Sequence, residues 1–314
     1  MIIIRDLFRA QLCLRMDNLQ KDPGVRIITL CLIGNIFLLL IKGGVGLWAD
    51  SEALKADAIN SAGDVISALV VTLGLKYSLK PRDKGHHYGH GKAEALVSFL
   101  VGAMVIVGAG FLVYEAVGTI IAKSTQQPSL YALLAALVSI GVKLFMFKAT
   151  YSAGKRLNSI AVMTNAMDHR NDIFATSGAA VAIGLSFVGQ FAGVALLTIY
   201  AEPVIAIVIS GLIVKTAWNI IKESANMLLD AAPDDETIRA LSSLASSVQG
   251  VKELSWLKCR RMGRGLLVDA AVEVCGSISV ADGHNIADAV HDAIAARHPE
   301  VIDVVVHVNP DNTF

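Results

Sequence analysis

The chain has 314 residues, of which 54% are hydrophobic and 17% are charged, and its mean hydropathy is +0.58. Because soluble domains carry roughly 25% charged residues, this composition excludes an ordinary soluble protein and indicates membrane-spanning helices. The formal net charge at pH 7 is zero, so no overall positive field predicts binding to nucleic acid.

Six apolar stretches fill the first two thirds of the chain, and about 20 such residues are enough to cross a bilayer as a helix. The predicted spans are 27–48, 54–79, 96–122, 130–149, 160–188 and 203–221. We therefore predict an N-terminal cytoplasmic segment at 1–25, a six-helix transmembrane domain at 26–222 and a cytoplasmic domain at 223–314.

The connections between the predicted spans differ in their content of basic residues. The loops after the second and fourth spans contain Lys76, Lys80, Arg82, Lys84, Lys92, Lys155 and Arg156. Because basic residues favour the cytoplasmic side, this distribution predicts that both termini and the C-terminal domain are cytoplasmic. The expected location is a multi-pass cell (inner) membrane, and the membrane of an internal compartment is the alternative.

The fifth predicted span contains an uninterrupted polar stretch from Asp168 to Asp172. Hydropathy alone favours a loop here, which would leave five spans and move the C-terminal domain to the opposite side of the membrane. An ionisable cluster inside a membrane helix explains the same residues and keeps the topology. Such clusters usually have a function, so we retain six spans.

The pattern changes after residue 233 to helix, strand, strand, helix, strand. Helices are predicted at 234–248 and 280–297, and alternating valines predict strands around 268–274 and 302–308. The fold class is therefore an α-helical membrane protein followed by a small α/β domain of order αββαβ. A domain of this size buries little apolar surface by itself, which favours a homodimer.

The second and fifth predicted spans share the pattern polar–Ala–x–Asn/Asp–xxx–Asp. It places Asn60 and Asp64 in the second span, and Asp168 and Asp172 in the fifth. Residues four apart lie on one face of a helix. Two such helices packed face to face would bring these four oxygen-bearing side chains around one point.

Three carboxylates buried together cannot all stay ionised without a cation, because their charges repel and burial disfavours the charged form. A divalent metal ion relieves this repulsion, and so do protons. The group can therefore alternate between metal-loaded and protonated states, as a metal/proton antiporter requires. The alternative is that the polar side chains only join the helices by hydrogen bonds, which seldom needs three acids in register.

The loop after the second predicted span reads Asp83-Lys84-Gly85-His86-His87-Tyr88-Gly89-His90-Gly91-Lys92-Ala93-Glu94. This loop, the two membrane patterns, the six-span plan and the αββαβ tail together resemble the cation diffusion facilitator family, over about residues 27–309. The resemblance implies a proton-coupled exporter of divalent metal ions that works as a homodimer in the lipid bilayer. It also implies a protein that is not an enzyme and needs no cofactor besides its transported metal.

The resemblance assigns the transport site to Asn60, Asp64, Asp168 and Asp172. Zinc-transporting members usually carry histidine at the position of Asn60 or Asp168, and this chain has neither. The set resembles the manganese-exporting branch, and oxygen ligands suit Mn(II) or Fe(II) better than they suit zinc. Mn(II) is the expected cargo, Fe(II) the second choice, and Zn(II) or Co(II) follow. His169 points about 100° away from Asp168 on a helix and is not expected to be a ligand.

The resemblance suggests a second, accessory metal site in the loop. Asp83, His86 and His90 match its ligands in zinc members, with His87 beside them. The alternative is a solvated basic loop whose histidines only pack. Lys92 and Asp230 match positions of a charge contact between protomers or domains, and the alternative for them is ordinary surface charge.

The C-terminal domain departs from the pattern of zinc members, which bind two metal ions there. At the corresponding positions this chain has Ser255, Ala271, His284, His307 and Asn309. We therefore expect at most a weak regulatory site through the two histidines, or none. A protein of another class, a non-transporting membrane scaffold that senses metal, is the rival reading, but an inert scaffold would not need the acids inside the membrane.

Overall fold

The computed structural model describes residues 22–48, 52–122 and 130–311, and over 52–60 it describes the course of the helix without its side chains. Residues 1–21 of the predicted N-terminal segment lie outside this description. The chain divides into two compact units, Met1–Ser224 and Ala225–Phe314.

Six long helices run through the first unit, and the last of them continues into the second. They are α1 Pro23–Trp48, α2 Glu52–Ser78, α3 Ala93–Ala122, α4 Leu130–Leu157, α5 Ile160–Ala192 and α6 Ala195–Leu228. Over the residues that the structure describes, five of them, α1 and α3 to α6, contain segments long and apolar enough to cross a membrane. The sixth helix of the predicted six-span plan is α2, which carries charged residues among its apolar ones.

The expectation that hydropathy would fail at the fifth span was wrong. Helix α5 has 33 residues and qualifies as a span, because a long apolar segment follows the polar stretch. The helix that falls short is α2, since Asp64 and Lys76 interrupt its described part. The sixth predicted span also began too late: α6 starts at Ala195 and contains Pro203 in its interior, which membrane helices tolerate when neighbouring groups satisfy the freed backbone atoms.

Helix α5 has a defined cap at each end, and this fixes the position of the two aspartates that it carries. Ser159 precedes the helix, and its Oγ accepts a hydrogen bond from the backbone N–H of Val162 at 3.3 Å. Gly193 follows it with φ of 68°, a left-handed conformation that glycine adopts without steric cost.

A buried apolar core and a buried acid join the helices at the end of the bundle where α5 begins. The apolar core there comprises Val25, Ile28, Val71, Leu75, Val101, Ala153, Ala161 and Val162, from five helices. Glu94, which is 1% exposed, accepts hydrogen bonds from Ser78 Oγ at 3.4 Å and Ser159 Oγ at 2.8 Å. These contacts connect the end of α2 with the beginnings of α3 and α5.

Large apolar side chains cover the outer surface of the helices. Phe37, Phe111 and Phe145 are 60%, 67% and 75% exposed. In water such a surface would promote aggregation, whereas in a bilayer it contacts lipid tails. The described outer surface is therefore apolar, as that of membrane helices is.

The second unit is a three-stranded sheet with helices. Its elements are α7 Asp235–Ser246, β1 Glu253–Met262, β2 Gly265–Val274, α8 Val280–Arg297 and β3 Val301–Pro310. The strand order is β1-β2-β3, with β1 antiparallel and β3 parallel to the central β2. A parallel pair needs a crossover, which α8 supplies. The predicted αββαβ order is confirmed.

The core of this unit forms between the sheet and its helices. Leu241 of α7, Val268 and Val272 of β2, and Val290 and Ile294 of α8 are all at most 1% exposed. The alternation seen in the sequence of β2 predicted the two valines on this face.

Close packing of α2 against α3 can be tested at Gly74. A Cβ added there would lie 2.1 Å from Cγ2 and 2.8 Å from Cβ of Val97. Because Val97 is branched at Cβ and cannot turn away freely, we expect Gly74→Ala to lower the free energy of unfolding by about 1–3 kcal/mol. Gly108→Ala in α3 is the control, since its Cβ would meet nothing within 4 Å. Thermal unfolding in detergent measures both, and equal melting temperatures would contradict this packing.

Candidate metal centre

Two acidic side chains from different helices share one buried ammonium group. Nζ of Lys143 in α4 lies 2.7 Å from Oδ2 of Asp64 in α2 and 2.5 Å from Oδ2 of Asp172 in α5. The Lys143 side chain is 5% exposed, and those of Asp64 and Asp172 are 13% and 16% exposed. Such charges are stable inside a membrane protein only when they are paired, and this triad pairs them across three helices.

The third acid of the predicted site also faces α2. Oδ2 of Asp168 accepts a hydrogen bond from Ser67 Oγ at 3.2 Å. Ser67 lies three residues after Asp64 and therefore on the same face of α2. Asp168 is close enough to Asp64 and Asp172 for the three carboxylates to interact electrostatically. The structure thus gathers three of the four predicted side chains between α2 and α5.

The fourth predicted ligand, Asn60, lies on the backbone of α2, but its side chain falls outside the described residues. Among the residues that the structure does describe, the one group of three or more His, Cys, Asp or Glu side chains close enough to share an ion is Asp83, His86 and His90. The carboxylates of Asp64 and Asp172 instead hold the Lys143 ammonium between them.

The remaining polar residues of α5 have separate environments. Arg170 donates from Nη2 to Thr216 Oγ1 of α6 at 3.0 Å, and its guanidinium carbon lies 5.8 Å from the centre of the Phe174 ring. His169 is fully buried, and neither of its ring nitrogens has a hydrogen-bond partner among the described residues. Asn171 is buried in the same way. Three residues of the polar stretch, Asp168, Arg170 and Asp172, therefore contact α2, α6 and α4 respectively.

The loop between α2 and α3 brings its three predicted ligands together. Asp83 Oδ1 lies 3.3 Å from His86 Nδ1, and Asp83 Oδ2 lies 3.3 Å from His90 Nε2. One ligand atom of each residue lies within 4.8 Å of those of the other two. His87, the neighbouring candidate, is not part of this cluster. Two imidazoles and a carboxylate are a donor set that suits zinc, with a fourth position left for water.

His90 is the anchored member of this loop cluster. Its side chain is 3% exposed, its ring meets the Tyr77 ring edge to face at 4.8 Å, and its Nδ1 lies 3.3 Å from the carbonyl oxygen of Lys80. A hydrogen bond from Nδ1 to that carbonyl leaves Nε2 as an acceptor that can bind a metal.

Asp83 is held as an anion. Desolvation acts to raise its pKa, but hydrogen bonds from the backbone N–H groups of His86 and Gly85, at 2.8 and 2.9 Å, outweigh that effect. The pKa of Asp83 therefore lies below its ordinary value, and the carboxylate stays ionised in mildly acidic solution.

The histidines of the C-terminal unit do not form a comparable group. His284 in α8 is 72% exposed and lies 3.4 Å from Asp288 Oδ2, one turn away. His307 is exposed on β3, paired in register with Ala271 of β2. Within the described part of this unit no group of three ligands includes either histidine. Lys92 and Asp230 belong to different units, and their charge contact stays a prediction.

Sequence reasoning missed Lys143, although a signal was present. A lysine inside a predicted span is as informative as an aspartate, and Lys143 interrupts the apolar run of α4. Lys42 in α1 is a second example: it is 6% exposed, and its Nζ donates to Ser61 Oγ at 3.2 Å. The acids drew attention because they repeat at matching spacing in two spans, whereas Lys42 and Lys143 belong to no such repeat.

Comparisons with known proteins agree with this architecture. A family model described as the cation efflux transmembrane domain matches residues 28–229, and one described as the cytoplasmic domain of cation efflux proteins matches residues 233–311. The manganese efflux system protein MneP of Bacillus subtilis is 30% identical over 295 residues, which cover 94% of this chain and 99% of that protein.

The chain is also similar to proteins whose names do not mention manganese. The magnetosome protein MamB of Magnetospirillum gryphiswaldense is 29% identical over 290 residues, covering 92% of this chain and 95% of that protein. Among solved structures, a nickel form of a MamM CTD variant matches with a TM-score of 0.25 and 20% identity, over 25% of this chain and 100% of that chain.

Proposed function

Because the chain belongs to the cation efflux family, whose members transport metal ions across membranes and are not enzymes, we propose that it exports Mn(II) from the cytoplasm in exchange for protons. The observation that carries this proposal is the shared cation of Asp64 and Asp172. Two carboxylates from separate membrane helices already bind one positive charge between them, which is what a transported metal ion requires.

The proposed transport site consists of Asn60, Asp64, Asp168 and Asp172. The contact of Asp168 with Ser67 supports it, because this hydrogen bond holds the α5 acid against the helix that carries Asn60 and Asp64. All four offer oxygen, and Asn60 would add a neutral carbonyl rather than a fourth negative charge. Oxygen ligands favour Mn(II) or Fe(II) over Zn(II), and MneP, a relative similar over nearly its whole length, is named for manganese efflux.

Exchange for protons follows from the same group of acids. When the metal leaves, three neighbouring carboxylates need another source of positive charge, and protons from the outer side can supply it. Metal would enter from the cytoplasm between α2 and α5 and leave outward when the helices rearrange, as in alternating access. The basic loops after α2 and α4 support cytoplasmic termini in a cell membrane.

Two further elements belong to the proposal. The loop cluster of Asp83, His86 and His90 would hold a metal ion outside the membrane-spanning region, and its convergence supports this role. The C-terminal unit would join two copies into a homodimer, since the family model that it matches is named as a dimerisation domain. Lys92 and Asp230 would then make a charge contact in that assembly.

A non-transporting scaffold that senses metal is the rival function. It would bind metal without moving it, and it would tolerate loss of the membrane acids. The buried triad favours transport, because three ionisable groups inside a bundle are costly to maintain for anchoring alone. Metal flux separates the two functions directly.

The first test of the transport site removes its acids one at a time. We expect Asp64→Ala or Asp172→Ala to reduce Mn(II) flux into proteoliposomes to the level of empty vesicles, because each change removes a metal ligand and a proton acceptor. Glu115→Ala, at an exposed acid of α3, is the matched control and should transport normally. Transport at the wild-type rate by either site variant, with folding verified by gel filtration, would show that the site is wrong.

The second test concerns metal selectivity at Asn60. Replacing Asn60 by His exchanges an amide oxygen for an imidazole nitrogen, a ligand well suited to Zn(II). We expect Asn60→His to shift transport toward Zn(II), and Asn60→Asp to keep Mn(II) transport because its ligand is still oxygen. Competitive uptake of both metals by the three proteins measures the ratio. An unchanged ratio in Asn60→His with intact flux would remove Asn60 as the selectivity determinant.

The third test separates the loop cluster from the histidines of the C-terminal unit. In an Asp64→Asn background, we expect His90→Gln to abolish Zn(II) binding measured by calorimetry, since it removes the anchored ligand. His87→Gln is the control, because His87 lies outside the cluster. The double change His284→Ala and His307→Ala should leave binding unaltered. Tight binding that depends on His284 or His307 would contradict the expectation of at most a weak site there.

A further inference from the structure

Lys143 occupies the position between two of the proposed metal ligands. Its Nζ is within hydrogen-bond distance of both Asp64 and Asp172, at 2.7 and 2.5 Å. Asp168, the third acid, is close enough to interact with the same ammonium. The side chain is 5% exposed, so water contributes little to stabilising its charge and the carboxylates contribute most.

We propose that Lys143 is a tethered competitor of the transported metal, whose ammonium group must leave the carboxylates before the ion can bind. This inference rests on the proposed transport site and adds a specificity-determining residue to it. Lys143 lies on α4, outside the paired pattern of α2 and α5, and no metal ligand role is assigned to it.

The competition follows from the shared oxygen atoms. An ammonium and a metal ion need the same carboxylate lone pairs, and two cations between Asp64 and Asp172 would repel each other strongly. The long, flexible side chain of lysine allows its charged end to move away without displacing the helix. Binding of the ion is therefore coupled to release of Lys143.

This competitor discriminates by charge. A monovalent ion such as Na⁺ brings the carboxylates no more charge than the ammonium it would displace, and the ammonium is already attached to the protein. A divalent ion brings twice the charge and can neutralise Asp64 and Asp172 together. Lys143 thus disfavours monovalent ions and lowers the affinity for divalent ions, which also eases their release.

The alternative is that Lys143 only clamps α2, α4 and α5 together. The two roles predict opposite changes in affinity. Loss of a clamp would loosen the site and weaken metal binding, whereas loss of a competitor strengthens it. The apparent affinity for a ligand is proportional to the fraction of protein molecules in the binding-competent state. Removing the ammonium raises that fraction and therefore the affinity for the metal.

Binding of Mn(II) to the full-length protein in nanodiscs tests the proposal, with free Mn(II) measured by electron paramagnetic resonance. We expect Lys143→Met to bind Mn(II) more tightly, on the order of tenfold if the ammonium occupies the site about nine tenths of the time. Added NaCl should weaken Mn(II) binding more in Lys143→Met than in the wild type. Lys148→Met, at an exposed lysine of the same helix, should match the wild type.

Lys143→Arg gives an independent result in the opposite direction. A guanidinium binds two carboxylates through a fixed fork, so this variant should bind Mn(II) more weakly than the wild type. Should methionine not be tolerated at this buried position, the arginine variant decides. Unchanged or weaker binding in folded Lys143→Met, or unchanged or tighter binding in Lys143→Arg, would overturn the competitor role.

Asp64→Asn, made in a His90→Gln background that removes the loop cluster as a second metal site, separates this inference from the proposed function. If Asp64→Asn leaves Mn(II) binding intact, the transport site itself is wrong. If Asp64→Asn abolishes binding while Lys143→Met binds as the wild type does, only the competitor role is wrong.

Discussion

The bridge from Asp64 through Lys143 to Asp172 is the interaction on which the rest of the account depends. Charges cannot be left unpaired inside a membrane protein, so the acids of α2 and α5 require a cation at all times. In this structure the cation is an ammonium of α4. Under the proposed function, the same requirement makes the group a binding site, because an entering metal ion would replace the ammonium.

The packing of the bundle holds the helices that carry these charged groups in place. Caps at both ends of α5, the buried contacts of Glu94 and the apolar core at one end hold the helices while polar groups face inward. The outer surface is apolar and suits lipid. The loop cluster of Asp83, His86 and His90 lies beyond the end of α2 and has a different donor set. The proposed transport site within the helices is therefore rich in oxygen, whereas the proposed loop site also contains imidazole nitrogen.

Much of the fold was readable from sequence because its signals are local. The strands and helices of the C-terminal unit follow alternation and helical periodicity, and Val268 and Val272 lie in the core as expected. The paired pattern predicted that Asp64, Asp168 and Asp172 face a common region. Lys143 was missed because its meaning depends on the packing of α4 against two other helices, which no local pattern encodes. The start of α6 was missed, since the helix begins at Ala195 and contains Pro203 in its interior.

The central claim is that metal moves outward in exchange for protons. Its most direct test reconstitutes the wild-type protein in proteoliposomes and records internal Mn(II) and internal pH together. With Mn(II) added outside, metal enters through protein molecules whose cytoplasmic side faces the medium. We predict that protons then leave the vesicle lumen and the internal pH rises. The account is contradicted if Mn(II) enters with no change in internal pH, or if an imposed proton gradient leaves the rate of Mn(II) entry unchanged.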